Sequence, residues 1–172
     1  MNRRKVEVTE VAGIITKALQ NGGVYLNSRD GEKINSMVIG WGHVGRIWNR
    51  PCFMAYVRAC RYTRELLDRN PEFTVSVPVN GQMKRAFQIC GTKSGRDMDK
   101  FAEAGLTAVP AEVVSVPAIR EFPLTLECRV MYRQEQAAED LPEDIRTQFY
   151  SDETEDHVVY YGQIVAAYML ED

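Results

Sequence analysis

The segment CFMAYVRACRYTRELLDRNPEFTVSVP, residues 52–78, passes from strand to helix and back to strand with almost no intervening loop. Cys52 to Arg58 is a short apolar run that follows Pro51. TRELLDRN then reads as a helix, and Asn70-Pro71 ends it, because proline cannot continue a helix and disfavours helical geometry in the residue before it. EFTVSVP starts the next strand at once.

Upstream, GGVYLNS and KINSMVIGWGHVG read as two strands joined by the turn RDGEK, in which Asp30-Gly31 supplies the positive φ of a hairpin. Downstream, GQMKRAFQIC and GRDMDKFAEAG read as short helices, the second closing at Gly105. Further on, Leu124, Leu126 and Cys128 alternate with Thr125, Glu127 and Arg129, the pattern of an antiparallel strand buried on one face. AAEDLPEDIRTQFYSDETED is an acidic excursion with one short helix, and HVVYYGQIVAAYML is the last strand. Short strands interleaved with few helices, without the regular alternation of a parallel sheet, predict a mainly β fold: an antiparallel, Greek-key-like barrel with short flanking helices. The 172 residues are expected to form one domain, 1–172.

With 45% hydrophobic and 26% charged residues the chain falls outside the disordered and fibrous classes. A net charge of -3 argues against general affinity for nucleic acid or an anionic membrane. MNRRKVEVTEVAG has no apolar run behind its positive charge to act as a signal, and no stretch of ~18 apolar residues is present, so the expected location is cytoplasmic. Cys52, Cys60, Cys90 and Cys128 form no C-x-x-C pair and read as reduced, mostly buried thiols. G-x-G-x-x-G and G-x-x-x-x-G-K-[ST] are both absent, so a bound nucleotide would be held another way.

Four places have the residue types for chemistry. Thr63 is placed to cap the helix that follows it, with Arg58 and Arg61 adding charge where an anion is favoured; a plain cap with surface arginines paired to Glu65 or Asp68 is the alternative. In CGTKSGRDMDKF, Ser94 or Asp97 is available as a cap and Lys100 follows, an anion cradle only if Asp97 and Asp99 face solvent. In NSMVIGWGHVGRIW, Gly40, Gly42 and Gly45 allow a backbone or flat ligand to approach, and Trp41 offers a planar surface; packing of both tryptophans in a core or interface is the alternative. His157 opens the last strand, either as a surface residue or as a group able to orient a cofactor or move a proton. With no third ligand at metal-like spacing, the two histidines do not suggest a metal site.

The order of these features is more specific than any one of them. Asn35-Ser36-Met37 ahead of Gly40-Trp41-Gly42, a proline-started strand ending in Arg58, Arg61-Tyr62-Thr63, FTVSVP, CGTKSGRDMDKF, and His157 with Gly162, Ile164 and Val165 behind it together resemble the flavin reductase family, in particular its flavoredoxin-like branch. The resemblance runs from Val24 to Tyr168. It implies an FMN-binding split β-barrel, usually a homodimer with flavin near the subunit interface. It also implies an oxidoreductase that takes a hydride from NADH or NADPH and passes electrons to free flavin, a ferric complex or a redox protein. By motif, Asn35, Ser36 and Met37 would line the flavin ring or ribityl chain, and Trp41 and Gly42 would shape the cleft. Arg58, Arg61, Tyr62 and Thr63 would hold the ribityl-phosphate end, Ser94 and Lys100 would complete the phosphate site, and His157 would be the catalytic group near the flavin or nicotinamide. A non-catalytic FMN-binding, storage or electron-carrier protein is the alternative within the same resemblance.

Overall fold

The computed structural model describes residues 2–150 and 156–171; residues 151–155 of the acidic excursion lie outside the described residues. Its first elements, β1 (Asn2–Lys5) and α1 (Val8–Gln20), add to those expected from the sequence. α1 forms because Val8, Val11, Ile15 and Leu19 recur at helical spacing and pack on the core. The hairpin of β2 (Val24–Asp30) and β3 (Lys33–Ile39) turns at Gly31 with φ of 56°, as expected. The run read as one strand through Gly45 is two strands: at Gly40-Trp41 the chain leaves β2, and β4 (Gly42–Ile47) pairs with β5 (Arg50–Arg58). Trp48 and Asn49, with φ of 48° and 59°, form the two-residue turn between them, a turn that needs positive φ at both positions.

The chain continues through α2 (Tyr62–Arg69), β6 (Glu72–Val77), α3 (Lys84–Thr92) and α4 (Lys100–Ala104), the last closed by Gly105 in the left-handed conformation. A small pair, β7 (Ala108–Val109) and β8 (Ala118–Ile119), precedes β9 (Leu124–Glu135). The acidic excursion holds one turn of 3-10 helix and α5 (Glu143–Phe149), and β10 (His157–Glu171) ends the fold. One eight-stranded sheet runs β3-β2-β6-β9-β10-β5-β4, with β1 paired to β10, and every pairing is antiparallel. β3 returns close to β5 without joining its ladder, so the barrel is split along that line. Phe53, Val57, Phe73, Val75, Leu126 and Ile164 fill its interior. A second cluster, including Tyr25, Cys90, Phe101 and Phe122, packs α3 and α4 against the sheet. Among the described residues no helix is long and apolar enough to cross a membrane.

One expectation is corrected by the packing. The start of β9 is buried on both faces, because residues 112–114 lie over the Thr125–Glu127 side. Glu127, fully buried, accepts from the backbone N–H groups of Glu112, Val113 and Val114 at 2.6, 2.7 and 3.1 Å and from the Tyr168 hydroxyl at 2.8 Å. These charge-assisted bonds are what permits a carboxylate there. Tyr160 of the last strand is a core residue whose hydroxyl donates to Asp68. Cys52, Cys90 and Cys128 are buried thiols and Cys60 is exposed.

β10 shifts register against β9 between Tyr161 and Gly162, and a Cβ on Gly162 would run into the Phe73 ring and lie 3.0 Å from Cys128 Cβ. Gly162→Ala should therefore destabilise the fold by about 1–3 kcal/mol, read as a lower urea midpoint. Gly45→Ala, whose added Cβ meets nothing within 4 Å, should stay close to wild type in the same assay.

Candidate functional site

β3, β5 and β10 converge at the split. The β10–β5 register puts His157 opposite Arg58, and β5 runs straight on into the turn that starts α2. Because strand side chains alternate, Asn35, Met37 and Ile39 share one face of β3. Two adjoining cavities result. One, of about 220 Å³, is lined by Met37, Trp41, Tyr56, Arg58, Arg61 and His157. The other, of about 80 Å³, is lined by Asn35, Tyr62, Thr63, Ser94, Gly95 and Lys100. Met37 and Arg61 border both, so they form one elongated cleft with an aromatic end and a hydroxyl-and-cation end.

At the aromatic end the Trp41 ring lies 4.9 Å from His157 and meets Phe149 edge-on at 5.1 Å. His157 is 6% exposed, and its Nδ1 lies 2.8 Å from the Tyr150 hydroxyl, which donates its one proton to Gln136 Oε1 at 3.1 Å. The phenol oxygen therefore accepts from Nδ1–H, leaving Nε2 as the acceptor nitrogen. Burial, helped by the Arg58 and Arg61 charges and opposed by Asp156, lowers the imidazole pKa to about 4, so it is neutral near pH 7. Arg58 belongs to this end: its guanidinium donates to the Phe149 carbonyl at 3.0 Å and lies over the Tyr150 ring.

The other end is built from donors. Thr63 is not the helix cap that its position suggests. The cap position is Arg61, whose side chain makes no capping bond, and Thr63 lies one residue inside α2, where its Oγ1 accepts from Asn35 Nδ2 at 2.9 Å. With that lone pair engaged, the Thr63 hydroxyl proton is available to a ligand. Lys100, 4% exposed, donates to the carbonyls of Ser36 and Cys90 at 3.0 and 3.3 Å, which leaves one N–H of the ammonium unspent. Burial lowers its pKa, the neighbouring Cys90 opposing and Arg61 adding to the shift. The cap of α4 is Asp99, which accepts from the Ala102 N–H at 3.1 Å, and neither Ser94 nor Asp97 takes that place. Ser94 instead accepts from the Arg96 N–H, and Asp97 and Asp99 are exposed to solvent. Arg61 is exposed, and its guanidinium makes no hydrogen bond or ion pair among the described residues.

The cleft thus gathers Asn35, Met37, Trp41, Arg58, Arg61, Tyr62, Thr63, Ser94, Lys100 and His157, but not Ser36 or Gly42. Ser36 lies on the opposite face of β3 from Asn35 and Met37, toward Cys90 of α3. Gly42 serves strand packing: a Cβ there would stand 2.9 Å from the Met54 carbonyl, whereas Gly40 and Gly45 have open space. Tyr56, Gly95, Arg96 and Tyr150 complete the site unforeseen; the aromatic pair Phe149-Tyr150 inside an acidic stretch was the readable signal. Among the described residues no group of His, Cys, Asp or Glu is placed to hold a metal ion.

The depressed His157 pKa has a testable consequence. Between pH 6.5 and 4 the unfolded chain binds a proton that the folded chain refuses, so stability present above pH 6.5 falls as pH is lowered through that window, by on the order of 2–3 kcal/mol. The loss of urea midpoint from pH 7 to pH 4.5 should be smaller in His157→Gln than in wild type.

The family model for the flavin reductase like domain matches residues 23–172. A curated protein of Archaeoglobus fulgidus is 32% identical over 105 residues, covering 61% of this chain and 49% of its own length. One of Pyrococcus abyssi is 40% identical over 70 residues, covering 41% and 39%. The chain therefore spans half or less of the length of the curated relatives it matches. Similar solved structures include the flavoredoxin of Desulfovibrio vulgaris (Miyazaki F), with TM-score 0.67, 24% identity and coverage of 86% of this chain and 69% of that one. The flavoredoxin from Methanosarcina acetivorans gives 0.64, 29%, 86% and 68%. A Streptomyces globisporus NADH:FAD oxidoreductase gives 0.64, 18%, 86% and 75%. With its split barrel shared by these structures and the family model matched over residues 23–172, the chain belongs to the flavin reductase-like family.

Proposed function

We propose that the cleft binds FMN and that the chain is an NAD(P)H-dependent oxidoreductase which passes electrons to a second acceptor, such as flavin, a ferric complex or a redox protein. The observation that carries this reading is the polarity of the cleft: aromatic surface and a neutral imidazole at one end, uncommitted donors at the other. The donor set suits a phosphate. Thr63 has a proton to give, Lys100 one N–H, and Arg61 a guanidinium without a partner among the described residues. The buried Asn35 Oδ1 has no hydrogen-bond partner, and a Cβ on the adjacent Gly95 would stand 2.9 Å from Asn35 Cγ, so that wall admits only glycine.

In this reading FMN supplies the redox chemistry when bound, and the protein supplies position and electrostatics. Trp41 and Met37 flank the space for a planar ring, and Arg61, Thr63, Ser94 and Lys100 hold the phosphate. His157, kept neutral and oriented by Tyr150, offers Nε2 as an acceptor near the ring. Arg58, turned toward Phe149 and Tyr150, holds the aromatic wall and leaves the phosphate to Arg61.

The purified protein should be yellow or become so with FMN, and anaerobic NADH or NADPH should bleach the bound flavin. No spectral or thermal response to FMN overturns the reading, and binding without bleaching reassigns the chain as a flavin carrier. Thr63→Val should weaken FMN about tenfold while leaving riboflavin, which lacks the phosphate, unchanged in a fluorescence titration.

We infer that the assembly is a homodimer. Trp48 and Tyr132, 57% and 49% exposed, cluster with Tyr161 at ring separations of 5.3 to 6.1 Å, an apolar surface suited to cover by a second copy. The double variant Trp48→Ser, Tyr132→Ser should elute as a monomer where wild type elutes as a dimer.

A further inference from the structure

Arg96 borders the hydroxyl-and-cation end of the cleft. Gly95 and Arg96 border both the inner cavity of about 80 Å³ and, on the other side, an outer depression of about 360 Å³ that also touches Lys33, Asp97 and Asp99. The Arg96 guanidinium is held from three directions. Both of its terminal nitrogens donate to the Cys60 carbonyl at 3.3 Å, it pairs with Glu65 on α2, and it lies over the Tyr62 ring at 5.4 Å. Lys33 Nζ lies 4.7 Å from the same ring. The turn before α2 and the loop before α4 are thus clasped together across the end of the inner cavity.

We propose that Arg96 sets the length of flavin the site accepts, closing it behind the first phosphate so that the mononucleotide is taken in preference to the adenine dinucleotide. The proposal rests on the flavin reading of the cleft. A ligand with its ring near Trp41 and His157 and a terminal phosphate near Thr63, Ser94 and Lys100 ends at this clasp. A dinucleotide has to carry a second phosphate, a ribose and an adenine past it. Beyond the clasp the outer depression is lined by Glu32, Asp97 and Asp99 against Lys33 and Arg96 itself, a border of net negative charge that disfavours a second phosphate. Arg96 therefore acts on specificity by occupying the exit.

The test is equilibrium binding of FMN, FAD and riboflavin, read by flavin fluorescence, to wild type, Arg96→Ala and Glu65→Gln. Wild type should bind FMN roughly tenfold or more tighter than FAD. Arg96→Ala should bring the two within about threefold, chiefly by tighter FAD binding, and leave riboflavin unchanged. Glu65→Gln, which loosens the clasp while keeping the arginine charge, should shift the ratio in the same direction, and it carries the test if Arg96→Ala fails to fold. Equal affinity of wild type for FMN and FAD overturns the proposal. So does an Arg96→Ala variant that loses FMN and FAD by the same factor, since Arg96 would then be only a phosphate ligand. Failure of wild type to bind any of the three flavins overturns the flavin reading itself.

Discussion

From His157 opposite Arg58 to Gln163 opposite Cys52, β10 and β5 hold one register, and the cleft depends on it. A slip of one residue reverses which face every β10 side chain takes, so His157 would leave Trp41 and the core residues Val158 and Tyr160 would turn over. The same strand carries β9 along its other edge and, beyond Ile164, gives its first edge to β1. Serving three partners requires the register breaks at Tyr161/Gly162 and Ile164/Ala166. Gly162 falls at the first break because Phe73 leaves no space there for a side chain.

A polar layer holds the irregular chain around β8 to the outside of the sheet. Glu127 gathers three successive N–H groups, Thr74 donates to the Pro117 carbonyl, and Ser76 accepts from the Ile119 N–H. Asn27 ties the set together by donating to both Thr74 and Ser76. Each of these residues lies on the sheet face that alternation alone would give to water. An irregular segment has the same need for hydrogen-bond partners as solvent does, so a covered polar face and a wet one carry the same sequence pattern.

That ambiguity explains much of what was and was not legible. Where local stereochemistry decides, the sequence is explicit: Gly31 turns the first hairpin, Asn70-Pro71 ends α2, and Gly105 closes α4. Where tertiary contact decides, it is silent. Thr63 has the chemistry of a cap, but its hydroxyl is claimed by Asn35 from a strand far away in sequence. The strand through residues 33–45 looks continuous, and only the exchange of partner from β2 to β5 divides it. The order of motifs points to residues that the fold brings around one cleft, and period-two geometry separates Met37 from Ser36. Tyr150 and Arg96 carry no motif of their own, because what places each at the cleft is contact with a neighbour, His157 in one case and Tyr62 with Glu65 in the other.

The two walls of the aromatic end differ in origin. Met37, Tyr56 and His157 belong to strands of the hydrogen-bonded sheet, whereas the opposite side is reached through Phe149 at the end of α5, a helix with no buried residue. Its ties among the described residues include the Arg58 bond to the Phe149 carbonyl, the edge-on contact of Phe149 with Trp41 and the Tyr150 contacts that follow. Separating α5 from the barrel exposes little apolar surface, so its free energy of opening is a local quantity, set apart from the global unfolding free energy that governs the strands. Amide exchange in α5 can therefore run ahead of exchange in β10 by orders of magnitude, leaving one border of the cleft as durable as the fold and the other only as durable as a handful of polar and ring contacts.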